Sequence, residues 1–327
     1  VEPFKYLRPD AEPRALEAGA AKDATFLAGG TTLVDLMRLG VERPATVVDV
    51  ARLPLAKIEP TPDGISIGAM ARNSDVAWNP AIREGWPVLS EALLAGASPQ
   101  LRNMATVGGN LLQRTRCAYF RDISCAQCNK RKPGSGCAAM DGWNRMHAVL
   151  GTSDQCIAAH PSDMCVALAA LDAVVHVRGP GGARQIAIGD FHVAPGVHPE
   201  VESALVHGEL VTHVFVPNAA FAKRSRYVKA RDRSSFAFAL ASCAAALEID
   251  DGTIKSARIA LGGVATKPWR SKEAEAAIVG KRLGDDVFRA AGEAAMKDAK
   301  PRRDNAFKME LGKRVVARAL ALAGGAS

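Results

Sequence analysis

Five of the seven cysteines, Cys117, Cys125, Cys128, Cys137 and Cys156, fall within 40 residues of a 327-residue chain, and only Cys165 and Cys243 lie elsewhere. Thiols at that density point to metal ligation or disulfides. An odd total in a chain of this length speaks against a disulfide scaffold. Between the cysteines lie Pro133, Gly134, Gly136, Gly142 and the cations Arg114, Arg116, Arg121, Lys130, Arg131 and Lys132. The segment has too few apolar residues for a core of its own, so a metal centre is expected to order it. An oxidised [4Fe-4S] core with four thiolates carries a charge of about −2, and six basic residues against one acid, Asp122, over residues 113–132 would neutralise it. Zinc competes, because Cys125-Ala-Gln-Cys128 is a CxxC pair. Zinc sites usually repeat a second close pair, whereas Cys137 and Cys156 lie 19 apart. The order is iron–sulfur first, zinc second, free buried thiols third.

A second chemistry sits in two glycine turns, Ala28-Gly29-Gly30-Thr31-Thr32 and Thr106-Val107-Gly108-Gly109-Asn110. Glycines let a backbone approach a phosphate closely, and amides at a helix start point at the anion. Neither turn is GxGxxG, and each alone reads as a tight turn between strand and helix. Two in separate units point to a bound phosphate-bearing cofactor. Asp163 stands at a helix start and reads as an N-cap. The seven histidines, His147, His160, His176, His192, His198, His207 and His213, show no metal-ligand spacing and read as structural.

The elements that must position these residues follow from periodicity. Pro13–Ala21 reads as a helix, Thr25–Ala28 as a strand, LVDLMRLG as a helix ending at Gly40, and Ala45–Val50 as a strand. Together they predict a β-α-β-α-β unit. Ile65–Met70 alternates as a strand, a helix begins at Val76, and Pro87–Ala97 is helical. MCVALAALDAVVHV predicts a buried helix followed by a strand. ARQIAIGDF and Glu209–Pro217 read as strands. From about residue 219, SRYVKARDR, SSFAFALASCAAALEID and GTIKSARIALGGV read as antiparallel strands with a helix among them. Two helices, Asp285–Lys300 and Asn305–Leu322, follow, the last burying Phe307, Leu311, Val315 and Ala319.

Composition bounds the classes. The chain is 48% hydrophobic with a formal charge of +8, and no apolar run of about 18 residues predicts a membrane span. Few aromatics accompany the basic residues, so no nucleic-acid partner and no membrane insertion are expected. The first residues, VEPFKYLRPDAEP, lack the apolar core of a signal peptide. A cytoplasmic location is expected, or a periplasmic one by co-export with a signal-bearing partner subunit.

Six stretches, taken in order, carry a resemblance: FLAGGTTLVDLM, IGAMARNSDVA, ATVGGNLL, PSDMCVALAALDA, YVKARDR and LGGVATKPWR. As a set they resemble the FAD-binding medium subunits of the molybdenum hydroxylase, or xanthine dehydrogenase, family. The resemblance implies an α+β fold. It has a two-subdomain FAD-binding domain of the vanillyl-alcohol-oxidase type over residues 1–218, divided near 57/58. A C-terminal domain like that of the CO dehydrogenase flavoprotein, an antiparallel sheet with helices, spans 219–327. It also implies that FAD is held by Phe26, Leu27, Ala28, Gly29, Gly30, Thr31, Thr32, Leu33 and Val34, with the pyrophosphate on the backbone of Ala28–Leu33. Thr106, Gly108, Gly109 and Asn110 would form the second loop. Asp163 would meet the ribityl chain, and Lys229 would lie near the isoalloxazine. No protein side chain is then needed as a catalytic acid, base or nucleophile.

The fifty or so residues between GGN and SD depart from most of the family. This insert, about 113–157, resembles the [4Fe-4S]-bearing subunits of periplasmic aldehyde oxidoreductase and, more distantly, of 4-hydroxybenzoyl-CoA reductase. That likeness assigns Cys117, Cys128, Cys137 and Cys156 as ligands and leaves Cys125 free. The expected function is electron transfer in a heterotrimer. Electrons would arrive from a large molybdenum-cofactor subunit through a small [2Fe-2S] subunit, pass to FAD and leave to an external acceptor. The alternatives are a zinc-stabilised basic nucleic-acid-binding module, the flavin subunit of an aromatic acyl-CoA reductase, and a self-contained flavin reductase of the cell-wall-precursor type.

Overall fold

The computed structural model describes residues 1–326. The first unit runs β1 (Lys5–Leu7), α1 (Glu12–Gly19), β2 (Ala24–Leu27), α2 (Leu33–Arg38) and β3 (Thr46–Asp49). Its strands are all parallel in the order β1-β3-β2. Parallel neighbours need a crossover, and α1 and α2 supply it. Val47 and Val48 on the central strand are buried. Helix α2 closes on Gly40, whose amide donates to Met37 O while that of Val41 donates to Leu36 O, satisfying two end carbonyls.

The second unit begins with β4 (Ile58–Thr61) and β5 (Gly64–Gly68). Seven helices follow: α3 (Asn73–Trp78), α4 (Pro80–Gly85), α5 (Pro87–Ala95), α6 (Pro99–Arg102), α7 (Val107–Leu111), α8 (Ala118–Arg121) and α9 (Asp163–Ala170). It ends with β6 (Val174–Gly179), β7 (Gly182–Ala187), α10 (Ile188–Phe191) and β8 (Leu210–Pro217). The sheet is antiparallel, ordered β4-β5-β8-β6-β7. Ile65, Ile67, Val175 and Val214 from the sheet share one core with Leu89 of α5 and every residue of α9 from Met164 to Ala170. Residues 122–162, by contrast, form neither helix nor strand. Their ladder contacts are single bridges, Cys128 to Cys137 and Leu150 to Ala265.

The third unit is an antiparallel sheet of β9 (Ser225–Ala230), β10 (Ala241–Asp250), β11 (Thr253–Gly262) and β12 (Trp269–Arg270), ordered β12-β11-β10-β9. The helices α11 (Lys272–Ile278), α12 (Asp285–Met296) and α13 (Phe307–Ala323) follow it. Strand β10 is buried on both faces, and the alternation of strand side chains divides its residues between two cores. Ala244 and Ala246 join the core of α5 and α9. Cys243, Ala245 and Leu247 pack with Phe288 of α12 and Val316 and Leu320 of α13.

The mixed α/β fold class stands, and several local expectations are corrected. Among the described residues no helix interrupts β9–β11; residues 231–240 form an irregular loop, so SSFAFAL is not strand and β10 starts at Ala241. The strand expected through ARQIAIGDF stops at Ala187, and Ile188–Phe191 coils into α10. Helix α3 starts at Asn73 rather than Val76. The second glycine turn is a helix, because Thr106 Oγ accepts from Gly109 N at 3.2 Å and places both glycines inside α7. The buried face of α13 is rotated from the expected one. Phe307 is exposed and Leu311 only half-buried, while Lys308, Gly312, Val315, Val316, Ala319 and Leu320 face inward. Gly312 sits against Met296 so closely that a side chain there would collide with its sulfur, and this contact sets the rotation.

Candidate functional site

The two glycine segments meet. A Cβ on Gly29 would lie 2.0 Å from Met104 O, so the first loop runs directly against the backbone leading into α7. Gly30 adopts φ +72°, a left-handed conformation that turns β2 toward α2. One cavity of about 380 Å³ is lined by Phe26, Ala28, Gly29, Gly30, Thr31, Thr32, Leu33, Thr106, Gly108 and Gly109, closed on its far side by Leu205–Val211. Another of about 780 Å³ is lined by Asn73, Asn110, Asp163 and Lys229 and shares Thr31, Thr32 and Gly109 with the first. The shared residues place both cavities along one groove, each within the size range of small-molecule sites. Of the fifteen residues expected at the cofactor, thirteen line this groove. Leu27 and Val34 instead pack around Gly30.

Asp163 is corrected from N-cap to first helical residue, because Ser162 Oγ accepts from Cys165 N and caps α9. The Asp163 carboxylate faces the groove wall, where Tyr227 OH donates to Oδ1 at 2.6 Å and Lys229 Nζ donates to Oδ2 at 2.8 Å. Lys229 also donates to Ala95 O at 3.0 Å, which ties β9 to the end of α5. All three side chains are buried. Burial, reinforced by the adjacent carboxylate, holds the Tyr227 phenol well above its ordinary pKa, so it stays a neutral donor. Tyr227 was not among the expected residues. Its signal was present in YVKARDR, where positions two apart on a strand share a face.

Two buried polar atoms on the groove wall have no partner, Asn73 Oδ1 and Arg116 Nε. A buried acceptor and a buried donor left unpaired are costly, and a polar ligand in the groove would satisfy them. The groove therefore fits an elongated ligand with polar groups placed against Asn73 and Arg116.

Four thiols line a second, much smaller cavity of about 10 Å³: Cys117, Cys128, Cys137 and Cys156. Cys125 does not line it. The backbone amides of Phe120 and Tyr119 act on Cys117, those of Ala139, Ile157 and Met140 on Cys137, and that of Ala158 on Cys156. Converging N–H donors suit thiolates. Burial pushes the Cys117 thiol up to about 12 and raises Cys137 and Cys156 as well. His147 Nε2 lies 3.1 Å from Cys117 Sγ.

The cations around this cavity are mostly paired already, which corrects the charge count made on the segment alone. Arg114 bridges Glu42 and Glu202, and Lys130 pairs with Glu202 at 2.9 Å. Arg116 and Arg121 share Asp35. Arg131 spends its guanidinium on the carbonyls of Tyr119, Phe120, Asp122 and Cys125, pinning the loop. The Lys130 ammonium also favours a thiolate at Cys156. The carboxylates come from other elements, so no reading of residues 113–132 could count them.

Another donor group, His160, Cys165 and His192, has its atoms within 4.8 Å of one another. Its hydrogen bonds argue against a metal. Ser162 N–H donates to His160 Nδ1, which leaves the ring proton on Nε2, while His192 Nε2 donates to Leu111 O and leaves Nδ1 bare. Burial keeps both imidazoles neutral, with His192 lowered to about 4. The two rings form a T-shaped pair, and His160 Nε2 and His192 Nδ1 are buried without a hydrogen-bond partner.

Residues 2–219 match the family described as FAD binding domain in molybdopterin dehydrogenase. Residues 226–323 match the CO dehydrogenase flavoprotein C-terminal domain. The chain belongs to the FAD-binding subunits of the molybdenum hydroxylase family. It is 48% identical over 324 residues to the aldehyde oxidoreductase FAD-binding subunit PaoB of Escherichia coli K12, covering 98% of each chain. It is 26% identical to the carbon monoxide dehydrogenase medium chain of Hydrogenophaga pseudoflava, covering 97% of this chain and 96% of that one. A solved structure of carbon monoxide dehydrogenase from that organism superposes with a TM-score of 0.77 over 99% of this chain and 98% of its own at 26% identity. Among the described residues, no helix of this flavoprotein subunit is long and apolar enough to cross a membrane.

Proposed function

We propose that this subunit binds FAD in the groove and a [4Fe-4S] cluster at Cys117, Cys128, Cys137 and Cys156, and serves a heterotrimeric molybdenum hydroxylase acting on an aldehyde. The FAD assignment is carried by the groove in which thirteen of the fifteen expected residues meet. FAD supplies the electron chemistry, and the protein supplies position and electrostatics. Ala28–Leu33 offer backbone amides to the pyrophosphate. Thr106, Gly108, Gly109 and Asn110 close the loop opposite, while Asp163 and Lys229 orient the flavin end. The aldehyde follows from the likeness to a protein named as an aldehyde oxidoreductase subunit. The partners are a large molybdenum-cofactor subunit and a small [2Fe-2S] subunit, with electrons leaving to an external acceptor. A domain boundary near residue 218 separates the groove's floor from its β9 wall.

The cluster assignment rests on sulfur spacing. Tetrahedral zinc with Zn–S of about 2.3 Å needs sulfurs about 3.8 Å apart. Among the described residues the one donor trio within 4.8 Å contains none of these four thiols. Four ligands around one cavity at wider spacing suit a polynuclear core. The test is purification with the partner subunits: acid should release one FAD per chain, and iron beyond that of the [2Fe-2S] subunit should reach four per chain. The isolated chain should not oxidise aldehydes. Release of FMN, or a folded and reconstituted chain without flavin, overturns the groove assignment; stoichiometric zinc in place of iron overturns the cluster.

A further inference from the structure

One contact at the thiol cavity does more than fill space. His147 is buried, and its Nε2 lies 3.1 Å from Cys117 Sγ. A cluster-bound thiolate has lone pairs and no proton, so the nitrogen facing it must be the protonated one. Nδ1 is then the bare nitrogen, and it is buried without a partner.

The backbone that carries the ring is held from within the insert and from outside it. The His147 amide donates to Asn144 O at 2.9 Å. From the segment leading into α13, Asn305 Nδ2 donates to His147 O at 3.4 Å and Ala148 O at 3.3 Å. Lys308 Nζ, on α13 itself, donates to Met146 O at 3.1 Å. Side chains of the C-terminal region therefore aim an imidazole at a cysteine of the insert. Cys117 is also the one ligand of the four that lines a cavity of about 190 Å³ reaching Pro161, Asp163 and Phe238. Phe238, Pro161 and Asp163 line the flavin groove too. Cys117 thus stands between the thiol cavity and the groove.

We infer that His147 donates Nε2–H to the Cys117 thiolate and raises the reduction potential of the cluster, an inference that rests on the cluster reading above. The reduced core carries one more negative charge, spread largely over sulfur, so an N–H donor stabilises it more than the oxidised core. His147 is a positioning and tuning residue, not a ligand.

The experiment uses the purified three-subunit complex with His147→Ala and His147→Gln, reading iron per chain and cluster potential by EPR-monitored titration. His147→Ala should keep four irons beyond those of the [2Fe-2S] subunit, and its cluster should titrate at a lower potential. His147→Gln, whose amide N–H can reach the same sulfur, should move the potential back toward wild type. An unchanged potential in His147→Ala overturns the hydrogen bond while leaving the cluster reading intact. A wild-type complex with no iron beyond that of the [2Fe-2S] subunit overturns the cluster reading itself. If His147→Ala loses iron, His147→Gln decides: recovery of iron with a near-wild-type potential supports the inference. Failure to recover either leaves His147 a structural role and overturns it.

Discussion

Cys125 and Cys128 are three residues apart and face different fates. Cys128 is buried at the thiol cavity and bridges backbone to Cys137. Cys125 lies outside it, and its backbone carbonyl, not its sulfur, is what Arg131 holds. Cys125→Ser should therefore keep the iron and EPR signal of the [4Fe-4S] cluster in the complex, and Cys128→Ser should lose both while the [2Fe-2S] signals remain. The reverse pattern, measured by metal analysis, exchanges the two assignments. At the groove, Asp163→Ala would leave Lys229 buried without its counter-ion, a loss of about 3–5 kcal/mol. Tyr227→Phe removes one donor to a carboxylate that keeps its lysine, and should cost about 2 kcal/mol. Urea midpoints of the two variants should fall in that order, and flavin occupancy should drop further in Asp163→Ala. Most of these residues were legible because glycine turns and an SD pair are local signals. Tyr227 was missed because its role exists only where β9 meets α9.

The elements explain what periodicity could and could not give. The β-α-β-α-β unit was legible because short strands and helices alternate with clear stops, as at Gly40. The face of α13 was not, since a run rich in alanine, valine and leucine permits several registers. The decisive residues are Gly312, pressed on Met296, and a lysine no hydrophobic pattern would place inside. Lys308 Nζ donates to Gly263 O at 2.8 Å and to Met146 O, with Arg145 and Asp232 the nearest charges acting on it. Burial lowers its pKa to about 7. In the unfolded chain the amine keeps its proton to about pH 10, so between the two values the unfolded state binds more protons and stability must rise with pH. Urea midpoints should climb from about pH 7 to about pH 9, and Lys308→Met should flatten that slope. A slope that persists in the variant assigns the effect to another group. The opposing thiols Cys165 and Cys243, both raised by burial, lose stability only as pH rises past the ordinary thiol value.

At the scale of the whole molecule the two matched segments are not independent. Residues 2–219 supply the glycine loops, Asn73, Asn110 and Asp163. Lys229, Asp232 and Phe238, on the same groove, come from the segment that follows. The same interlock holds inside, where Tyr227, Ala244, Ala246 and Ala260 share a core with Met164 and Leu168. It holds again at the insert, where Asn305 and Lys308 clasp the carbonyls of residues 146–148. A chain ending at residue 219 would bare the apolar sides of α5 and α9, leave Asp163 without its lysine and phenol, and release the backbone that aims His147. Such a fragment should elute as an expanded or aggregated species and carry neither flavin absorbance nor iron, whereas the full chain should carry both. The decisive comparison is size exclusion with flavin and iron analysis on the two chains prepared alike. A monomeric 1–219 fragment with one FAD per chain would mean that the groove's second wall is dispensable, and that the Asp163–Lys229–Tyr227 contacts do no more than join two self-sufficient domains.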